Sequence, residues 1–359
     1  MRLLFGVSIA ALGCGRVGFD ASMADAPVDA APLADQVASA LPCETDVVLR
    51  TVPRADELGW LDTADVQAVI ALHHLDNTHH EIVVYPLAVV GGVVTSPSST
   101  LAYATPDMYG LAFARAGAGY AAAVTSVADG TLHVLVFDAG FALQSDTPVT
   151  GLGGATVPFA ASSAGQLLVG VDPSGGISVV AVDSAGSLAG APVTIVGGPA
   201  DQPAIAAVGA DFAVAGRDNA SGACKLARVA LDGSIRAGPL SVTTPAATCV
   251  SPRVRALGTG AVAYAIHDPG TVAPIAYAGL IDPAFSAASA PNAVGATDSA
   301  VVAMVGDVDR ADLAVRTNGA SRLAQVLAGG TTMVVGSDFG LAGTDTDTET
   351  LQVVGSALV

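Results

Sequence analysis

Residues 203–243 read PAIAAVGADFAVAGRDNASGACKLARVALDGSIRAGPLSVT, and this stretch decides the fold. It holds four short β-favouring runs separated by Gly, Asp and Asn: Ala204–Val208, Phe212–Gly216, Lys225–Leu231 and Ile235–Val242. Asp232-Gly233 joins the last two runs and is a strong hairpin signal, because a type I′ turn needs positive φ at both central positions. The stretch therefore predicts four antiparallel strands in succession, which we call A, B, C and D.

The turn between strands C and D recurs along the chain. Its six copies begin at residues 91, 138, 183, 232, 282 and 329, so they follow one another at intervals of 45 to 50 residues. They read Gly91-Gly92, Asp138-Ala139-Gly140, Asp183-Ser184-Ala185-Gly186, Asp232-Gly233, Asp282-Pro283 and Gly329-Gly330. A repeat of this length is typical of β-propellers, in which four-stranded sheets are arranged radially as blades.

A proline follows five of these turns and predicts that strand D is a sheet edge, because proline has no N–H to donate to a ladder. The five are Pro97, Pro148, Pro192, Pro239 and Pro291. Residues 45–359 hold six such repeats, so we expect an all-β, six-bladed β-propeller of four-stranded antiparallel blades, with seven blades as the alternative. Val47–Val52 or a nearby run should open the first blade, with Trp60 in an insert after it. Thr350–Leu358 could pair with the N-terminal strand and close the ring.

The N-terminus has the parts of an export signal. Met1-Arg2 is positively charged, Leu3–Leu12 is apolar but too short to span a bilayer, and Ala11-Leu12-Gly13-Cys14 is a small-residue cleavage site. This resembles a bacterial lipoprotein signal, which implies that residues 1–13 are removed and that Cys14 is acylated. An ordinary cleaved secretory signal is the alternative.

The segment that follows has the composition of a tether. Gly15–Asp20 resembles the start of many surface lipoproteins of myxobacteria, which implies an exported protein at the outer membrane or cell surface. Residues 21–42 are mostly Ala, Asp and Pro with no aromatic residue, so they cannot bury enough surface to offset their ordering entropy. We expect residues 14–44 to form a disordered, lipidated tether, and the lipid to be the chain's sole contact with the membrane.

Charge and hydropathy exclude several classes of partner. The net charge of −18 argues against nucleic acid and anionic membrane surfaces, since both are bound by clustered Lys and Arg. The mean hydropathy is +0.59, yet the apolar residues come in short runs, which are typical of buried strands. We expect a monomer.

The cysteines predict one disulfide. Export places the chain in an oxidising compartment, and lipidation of Cys14 leaves three cysteines, of which two can pair. Cys224 opens strand C of the fourth repeat and Cys249 precedes the fifth, so both should lie at the same end of adjacent blades. We expect Cys224 to pair with Cys249 and Cys43 to stay unpaired within the chain; three unpaired thiols are the alternative.

The connections between strands B and C carry acidic or amide side chains. These are Asp76, Asp129, Asp172, Asp218, Asp268 and Asn318. A ring of carboxylates could hold cations or amino sugars, but Asp and Asn also cap turns by accepting N–H groups of their own backbone, and we expect turn capping.

The first of these connections is a histidine hairpin, residues 73–81. With Asp76-Asn77 as a two-residue turn, His74 would face His79 and His73 would face His80. Cross-strand histidines can bind one Zn²⁺, with Glu81 or Asp76 as a third ligand. No established zinc spacing is matched, so an ordinary solvated hairpin without a cofactor is the interpretation that we favour.

Two acidic segments suggest Ca²⁺ as another candidate. Asp307–Val315 resembles the repeat of integrin-type propellers, in which an acidic loop binds calcium before an Asp-Leu-Ala-Val strand; here the middle Asn-Gly-Asp of that loop is missing. Asp345, Asp347 and Glu349 alternate like calcium ligands, but the glycine of an EF-hand loop is missing. We favour acidic loops without bound metal.

Catalytic signatures are missing from the sequence. There is no Gly-x-Ser-x-Gly elbow, no phosphate-binding glycine loop before a helix and no Ser-x-Asp-x-Gly-x-x-Trp box. The sequence therefore favours a non-enzymatic, membrane-anchored propeller that binds a protein or glycan or acts as a scaffold. The alternative is a metal-dependent, lactonase-like hydrolase that uses the hairpin from His73 to His80.

Overall fold

The structure is a computed structural model, in which every regular element that can be described is a β-strand. It describes residues 5–10, 16–21, 47–52, 55–62, 67–76, 79–90, 93–95, 100–105, 108–126, 128, 130–152, 159–162, 164–171, 175–183, 185–268, 274–295, 299–306, 309–317, 320–330, 332–339, 353–354 and 357–358. The all-β prediction is confirmed, and no helix in these residues could cross a bilayer.

The first three strands form a small sheet. These strands are β1 (Phe5–Ala10), β2 (Arg16–Ala21) and β3 (Val47–Val52), and β1 pairs antiparallel with both of the others. The start of the predicted disordered tether is therefore a strand, which fits the β-favouring Val17 and Phe19. Residues 22–46 lie outside the described part, and removal of residues 1–13 stays a prediction.

Six larger antiparallel sheets follow, and we number them 1 to 6 in chain order. Sheet 1 contains β4 (Ala55–Asp62), β5 (Gln67–Asp76), β6 (His79–Val90), β7 (Val93–Thr95) and β8 (Thr100–Thr105). Sheet 2 contains β9 (Met108–Ala116), β10 (Gly119–Ser126), β11 (Leu132–Phe137) and β12 (Leu143–Val149). Sheet 3 contains β13 (Phe159–Ala161), β14 (Gln166–Val171), β15 (Ile177–Val182) and β16 (Val193–Val196).

The next three sheets repeat this plan. Sheet 4 contains β17 (Ala200–Val208), β18 (Asp211–Asp218), β19 (Cys224–Val229) and β20 (Ile235–Val242). Sheet 5 contains β21 (Val250–Ala256), β22 (Val262–Asp268), β23 (Ile275–Ile281) and β24 (Asn292–Ala293). Sheet 6 contains β25 (Ser299–Gly306), β26 (Arg310–Thr317), β27 (Ala320–Leu327) and β28 (Thr332–Phe339).

Sheets 2 to 6 have the predicted order of strands A to D. In each, neighbouring strands of the sheet are neighbours in sequence, and strand D lies at one edge. Pro148 and Pro239 lie within the edge strands β12 and β20, where the missing N–H costs no ladder hydrogen bond.

Sheet 1 begins with β4, which is the nearby run allowed for in the prediction and not Val47–Val52 itself. Two other terminal predictions are wrong. Trp60 lies inside β4, opposite Val69, and not in an insert. At the other end of the chain, β29 (Val353–Val354) pairs with β30 (Ala357–Leu358) and not with an N-terminal strand. A local hairpin forms because it closes a much shorter loop than a pairing across the whole chain.

The hydrophobic core lies between successive sheets. One buried cluster joins each sheet to the next, from sheets 1 and 2 to sheets 5 and 6. Between sheets 1 and 2 the rings of Phe113 and Phe137 stack at 5.9 Å and those of Tyr120 and Phe141 at 4.5 Å. Sheets 2 to 5 therefore bury apolar residues on both of their faces.

The C–D turns confirm the repeat but not the predicted turn class. At Asp232-Gly233 only the glycine has a positive φ, of 79°, and its N–H donates to the carbonyl of Ala230 at 3.0 Å. This is a longer turn closed by a left-handed glycine, not a type I′ turn. The carboxylate of Asp232 accepts the N–H of Ser234 at 2.9 Å, which fixes the turn without positive φ at the aspartate.

Candidate functional site

The B–C connections and the connections between sheets meet at one end of the sheets, which we call the loop end. The N–H of Asn219, after strand B of sheet 4, donates to the carbonyl of Pro199, which precedes that sheet, at 2.9 Å. One sheet further on, the hydroxyl of Thr248 donates to the carboxylate of Asp268 at 3.3 Å. We call the opposite end, with the A–B and C–D turns, the turn end.

A disulfide fixes the loop end between sheets 4 and 5. Cys224 and Cys249 are bonded with their Cα atoms 5.6 Å apart, and both side chains are buried. The predicted pairing is confirmed. Closing a loop with a separation of 25 residues restricts the unfolded chain by roughly 3.5 kcal/mol on the entropy model. Cys14 and Cys43 lie outside the described residues.

Asp218 is used for turn capping, as predicted. Its carboxylate accepts the hydroxyl of Ser221 at 2.6 Å and the N–H of Ala220 at 2.9 Å. The Ser221 hydroxyl is the main cause that lowers the pKa of this carboxyl. Asp129, Asp172 and Asn318 lie outside the described residues, so no ring of carboxylates can be assembled from the described aspartates.

The register of the histidine hairpin differs from the predicted one. His74 lies opposite His80, His73 opposite Glu81, and Asp76 opposite His79, with a register shift between His74 and Asp76. The predicted pairs of His74 with His79 and of His73 with His80 are wrong, because Asp76 belongs to β5 and pairs with His79 across this irregularity.

The side chains that are described in this hairpin diverge. His80 is buried, and its Nδ1 accepts the N–H of Met108 at 3.4 Å, whereas His79 is exposed. Neighbouring residues of a strand point to opposite faces, so His79 and His80 cannot share one metal ion. Among residues with described side chains no group of three His, Cys, Asp or Glu could hold a metal. The zinc site stays a prediction that depends on His73, His74 and Asp76, whose side chains are outside the described part.

The segment that resembles an integrin repeat uses Asp312 structurally. Its buried carboxylate accepts the side-chain amide of Gln325 at 2.6 Å and the guanidinium of Arg310 at 3.3 Å. Asp307, Asp345, Asp347 and Glu349 lie outside the described residues. Calcium binding therefore stays untested, but Asp312 belongs to the packing of sheet 6.

Sequence reasoning missed the polar residues at the loop ends of the second strands. Arg217, His267 and Thr317 each directly precede a loop residue singled out above, namely Asp218, Asp268 and Asn318. Their alternation with core residues places Arg217 between sheets 4 and 5 and the other two between sheets 5 and 6. The recurrent pairing of a polar residue with the loop Asp or Asn was the signal available in the sequence.

Three polar atoms at these positions are buried without a partner. They are Arg217 Nε, Thr317 Oγ1 and Oδ1 of Asp201, the residue opposite Arg217. Buried polar atoms in folded proteins nearly always have hydrogen-bond partners, and each exception needs an explanation. A fourth such atom among the described residues, Gln166 Oε1, lies at the turn end, where β14 begins. The three that share the loop end make that end of sheets 4 to 6 the candidate site.

His267 contributes an imidazole that is neutral at neutral pH. Its Nε2 accepts the N–H of Val301 in β25 at 2.8 Å, so the ring proton lies on Nδ1. Burial, with a smaller effect from Arg253, lowers the pKa of His267 to about 4. The histidine thus joins sheets 5 and 6 as a hydrogen-bond acceptor and not as a cation.

Comparison with known proteins identifies the fold and goes no further. No family model matches the chain, and no curated protein matches it in sequence. Apo prolyl oligopeptidase B from Galerina marginata is similar in structure, with a TM-score of 0.53, 13% identity, and coverage of 92% of this chain and 50% of that one. The chain thus spans about half of that protein. It has a propeller-type fold.

Two smaller proteins are also similar. AztD from Citrobacter koseri has a TM-score of 0.49 at 13% identity, with 95% of this chain and 84% of that one covered. TolB from Acinetobacter baumannii has a TM-score of 0.42 at 12% identity, with coverage of 73% and 60%. At these identities the likeness concerns the fold and not the activity.

Proposed function

We propose that this protein is an exported, lipid-anchored β-propeller of six blades whose loop end binds a glycan or protein ligand. Sheets 1 to 6 would be the blades. Each would pack on the next through the buried cluster between them, and the ring would close between sheets 6 and 1. Radial repetition leaves one set of connections at each end, so the loop end offers a single composite surface.

The observation that carries the binding function is the set of unpartnered atoms on Asp201, Arg217 and Thr317. One carboxylate oxygen, one guanidinium N–H and one hydroxyl that are buried without a described partner cost stability, and a polar ligand would satisfy them. They offer both donors and acceptors to such a ligand.

Of the two ligand classes, the described loop end favours a glycan. Protein interfaces have apolar, aromatic-rich centres, whereas the exposed large apolar side chains that are described lie elsewhere. Leu143, Val193 and Ile235 begin edge strands at the turn end, and Leu101 lies within β8. Hydroxyl-rich ligands match isolated polar groups better than a protein surface does.

Two arginines of sheet 4 provide a matched test. Arg217 lies at the loop end with its Nε unpartnered, whereas Arg228 donates to Asp211 at 2.8 Å and to the carbonyl of Pro283 at 3.0 Å. A glycan array with the mature protein should identify a ligand, and Arg217→Gln should weaken its binding at least about tenfold. Arg228→Gln should leave that affinity unchanged.

If the wild type binds one protein and Arg217→Gln does not, the loop end is a site for a protein ligand and not for a glycan. No glycan or protein binding, or equal losses in both variants, would contradict a loop-end binding site. Hydrolysis of a lactone or ester that depends on added metal would favour the enzymatic alternative.

Anchoring needs a separate experiment. If Cys14 is acylated after removal of residues 1–13, mass spectrometry of the membrane-extracted protein will find a lipid-modified N-terminal cysteine. An unmodified N-terminus at another residue would contradict the lipoprotein proposal and leave the binding proposal intact.

A further inference from the structure

Two arginines lie side by side on β21, the first strand of sheet 5. Arg253 and Arg255 are exposed, whereas Val254 between them and Pro252 before them are buried. Residues two apart in a strand share a face. In register they lie opposite Ala265 and Ala263, which belong to the core between sheets 5 and 6. Both side chains therefore lie on the face of sheet 5 that is turned toward sheet 6, at the edge formed by β21. We call this edge of the packed interface the cleft between the two sheets.

The far side of the cleft is β25 of sheet 6, whose backbone contacts Arg255 and His267. Arg255 donates through Nε to the carbonyl of Met304 at 2.8 Å. Further toward the loop end, the N–H of Val301 donates to His267. Arg255, Arg253, His267 and Thr317 thus follow one another along a single cleft from the turn end to the loop end.

In the part of the chain that the structure describes, the two arginines of this cleft have no acidic partner. Among the described residues no carboxylate pairs with Arg253 or Arg255, although two other arginines have such partners: Arg228 with Asp211 at 2.8 Å and Arg310 with Asp312 at 3.3 Å. Burial chiefly, and then the neighbouring Arg255, lower the pKa of Arg253. Both residues keep exposed surface, while burial of the guanidinium groups is the main cause that lowers the pKa of each. In a chain of net charge −18, two adjacent arginines without a described acidic partner require an explanation.

We propose that the cleft between sheets 5 and 6 binds an oxyanion group, a carboxylate, sulfate or phosphate, through Arg253 and Arg255. Guanidinium groups match these anions with two parallel N–H bonds, and a partly desolvated site strengthens them. Arg255 donates through Nε to Met304 and, at 3.4 Å, through one terminal nitrogen to the carbonyl of Val254, so its other terminal nitrogen is left for the ligand. The anion also removes the repulsion between the two arginines. This site goes beyond the proposed loop-end function and does not rest on it.

The experiment uses the mature protein with inorganic sulfate, inorganic phosphate and glucuronate as probes. Melting temperatures are measured at constant ionic strength, with sodium chloride and glucose as controls. We expect a saturable rise in melting temperature with at least one oxyanion. A response to sulfate or phosphate alone identifies a free inorganic anion as the ligand, and a stronger response to glucuronate identifies a sugar acid.

Variants decide whether the response comes from this cleft. Arg253→Gln should lower the affinity for the anion roughly 10- to 100-fold. Without anion, its melting temperature should be higher than that of the wild type, because the repulsion between the two arginines is removed. Arg236→Gln, at an exposed arginine of β20, makes the same charge change and should leave the affinity unaltered. Arg253→Lys keeps the charge and the fold but loses the two parallel N–H donors of the guanidinium group, so it should also bind the anion more weakly.

No saturable oxyanion effect in the wild type would overturn the proposal. Equal effects in the wild type, Arg253→Gln and Arg253→Lys would do the same, because the anion would then bind elsewhere. If Arg253→Gln does not fold, the comparison of wild type with Arg253→Lys still decides the outcome.

Discussion

The two ends of the sheets are built from the same strands but treat their polar groups differently. At the turn end the aspartates cap their turns: Asp183 accepts the N–H groups of Ala185 and Ser187 through one oxygen, each at 2.8 Å. Asp138 accepts those of Gly140 and Ala142, each at 2.9 Å. One buried atom at this end, Gln166 Oε1, has no partner. At the loop end a disulfide fixes the frame, while Asp201, Arg217 and Thr317 keep buried atoms without partners.

On the proposed function, this difference separates the groups that fold the chain from those that bind the ligand. A repeat needs each hairpin to close the same way, so the turn-end side chains complete their own turns. The loop end is held by a covalent bond between sheets, which allows nearby polar groups to stay unpaired. Three of the four buried atoms without a described partner thus lie at the loop end, where the proposed ligand would satisfy them.

Loss of the disulfide should have the largest effect, because it loosens the frame of the loop end. We expect Cys249→Ala to lower the free energy of unfolding by roughly 3.5 kcal/mol. Cys43→Ser is the matched control and should change little. Labelling of denatured, unreduced mature protein should find one free thiol, at Cys43; labelling at Cys224 and Cys249 as well would contradict the bond.

Acid should weaken the loop end through His267. Its folded pKa of about 4 lies below the unfolded value, so the unfolded chain takes up the proton first. The stability is complete above about pH 6.5 and falls by about 3 kcal/mol as the pH drops toward 4. Denaturation of His267→Gln should show a smaller loss over this range, with exposed His79→Gln as control. Equal pH profiles for all three proteins would refute this assignment.

At the turn end, removal of a cap should have a moderate effect. Asp183→Ala leaves the N–H groups of Ala185 and Ser187 to water, and we expect a loss of roughly 1 kcal/mol in chemical denaturation. Asp183→Asn keeps an acceptor oxygen and should lose less. Identical stabilities of Asp183→Ala and the wild type would show that the turn end does not depend on its caps.

Metal removal should have the smallest effect. If the histidine hairpin is an ordinary one, EDTA will not change the melting temperature of the metal-exposed protein. A lower melting temperature with EDTA, abolished by His74→Ala, would instead establish the metal site and favour the hydrolase alternative.

The sequence predicted what depends on local chemistry or on the repeat. The spaced turns gave the all-β sheets, Pro148 and Pro239 marked edge strands, and the positions of Cys224 and Cys249 within the repeat gave the disulfide. The sequence did not predict the register of the hairpin at His74, because the register shift depends on the side-chain packing of the paired strands β5 and β6. Unpartnered groups such as Thr317 depend on packing between sheets, which no periodicity reveals.

The central claim is that the loop end keeps buried polar groups for a ligand and not for the fold. Two hydroxyls test it most directly: Thr317 Oγ1 is buried without a partner, whereas Ser145 Oγ at the turn end donates to the carbonyl of Ala185 at 3.0 Å. We expect Thr317→Val to raise the free energy of unfolding of the ligand-free protein by about 1 kcal/mol and Ser145→Ala to lower it by about the same amount. A loss of stability in Thr317→Val as large as that in Ser145→Ala would contradict the account.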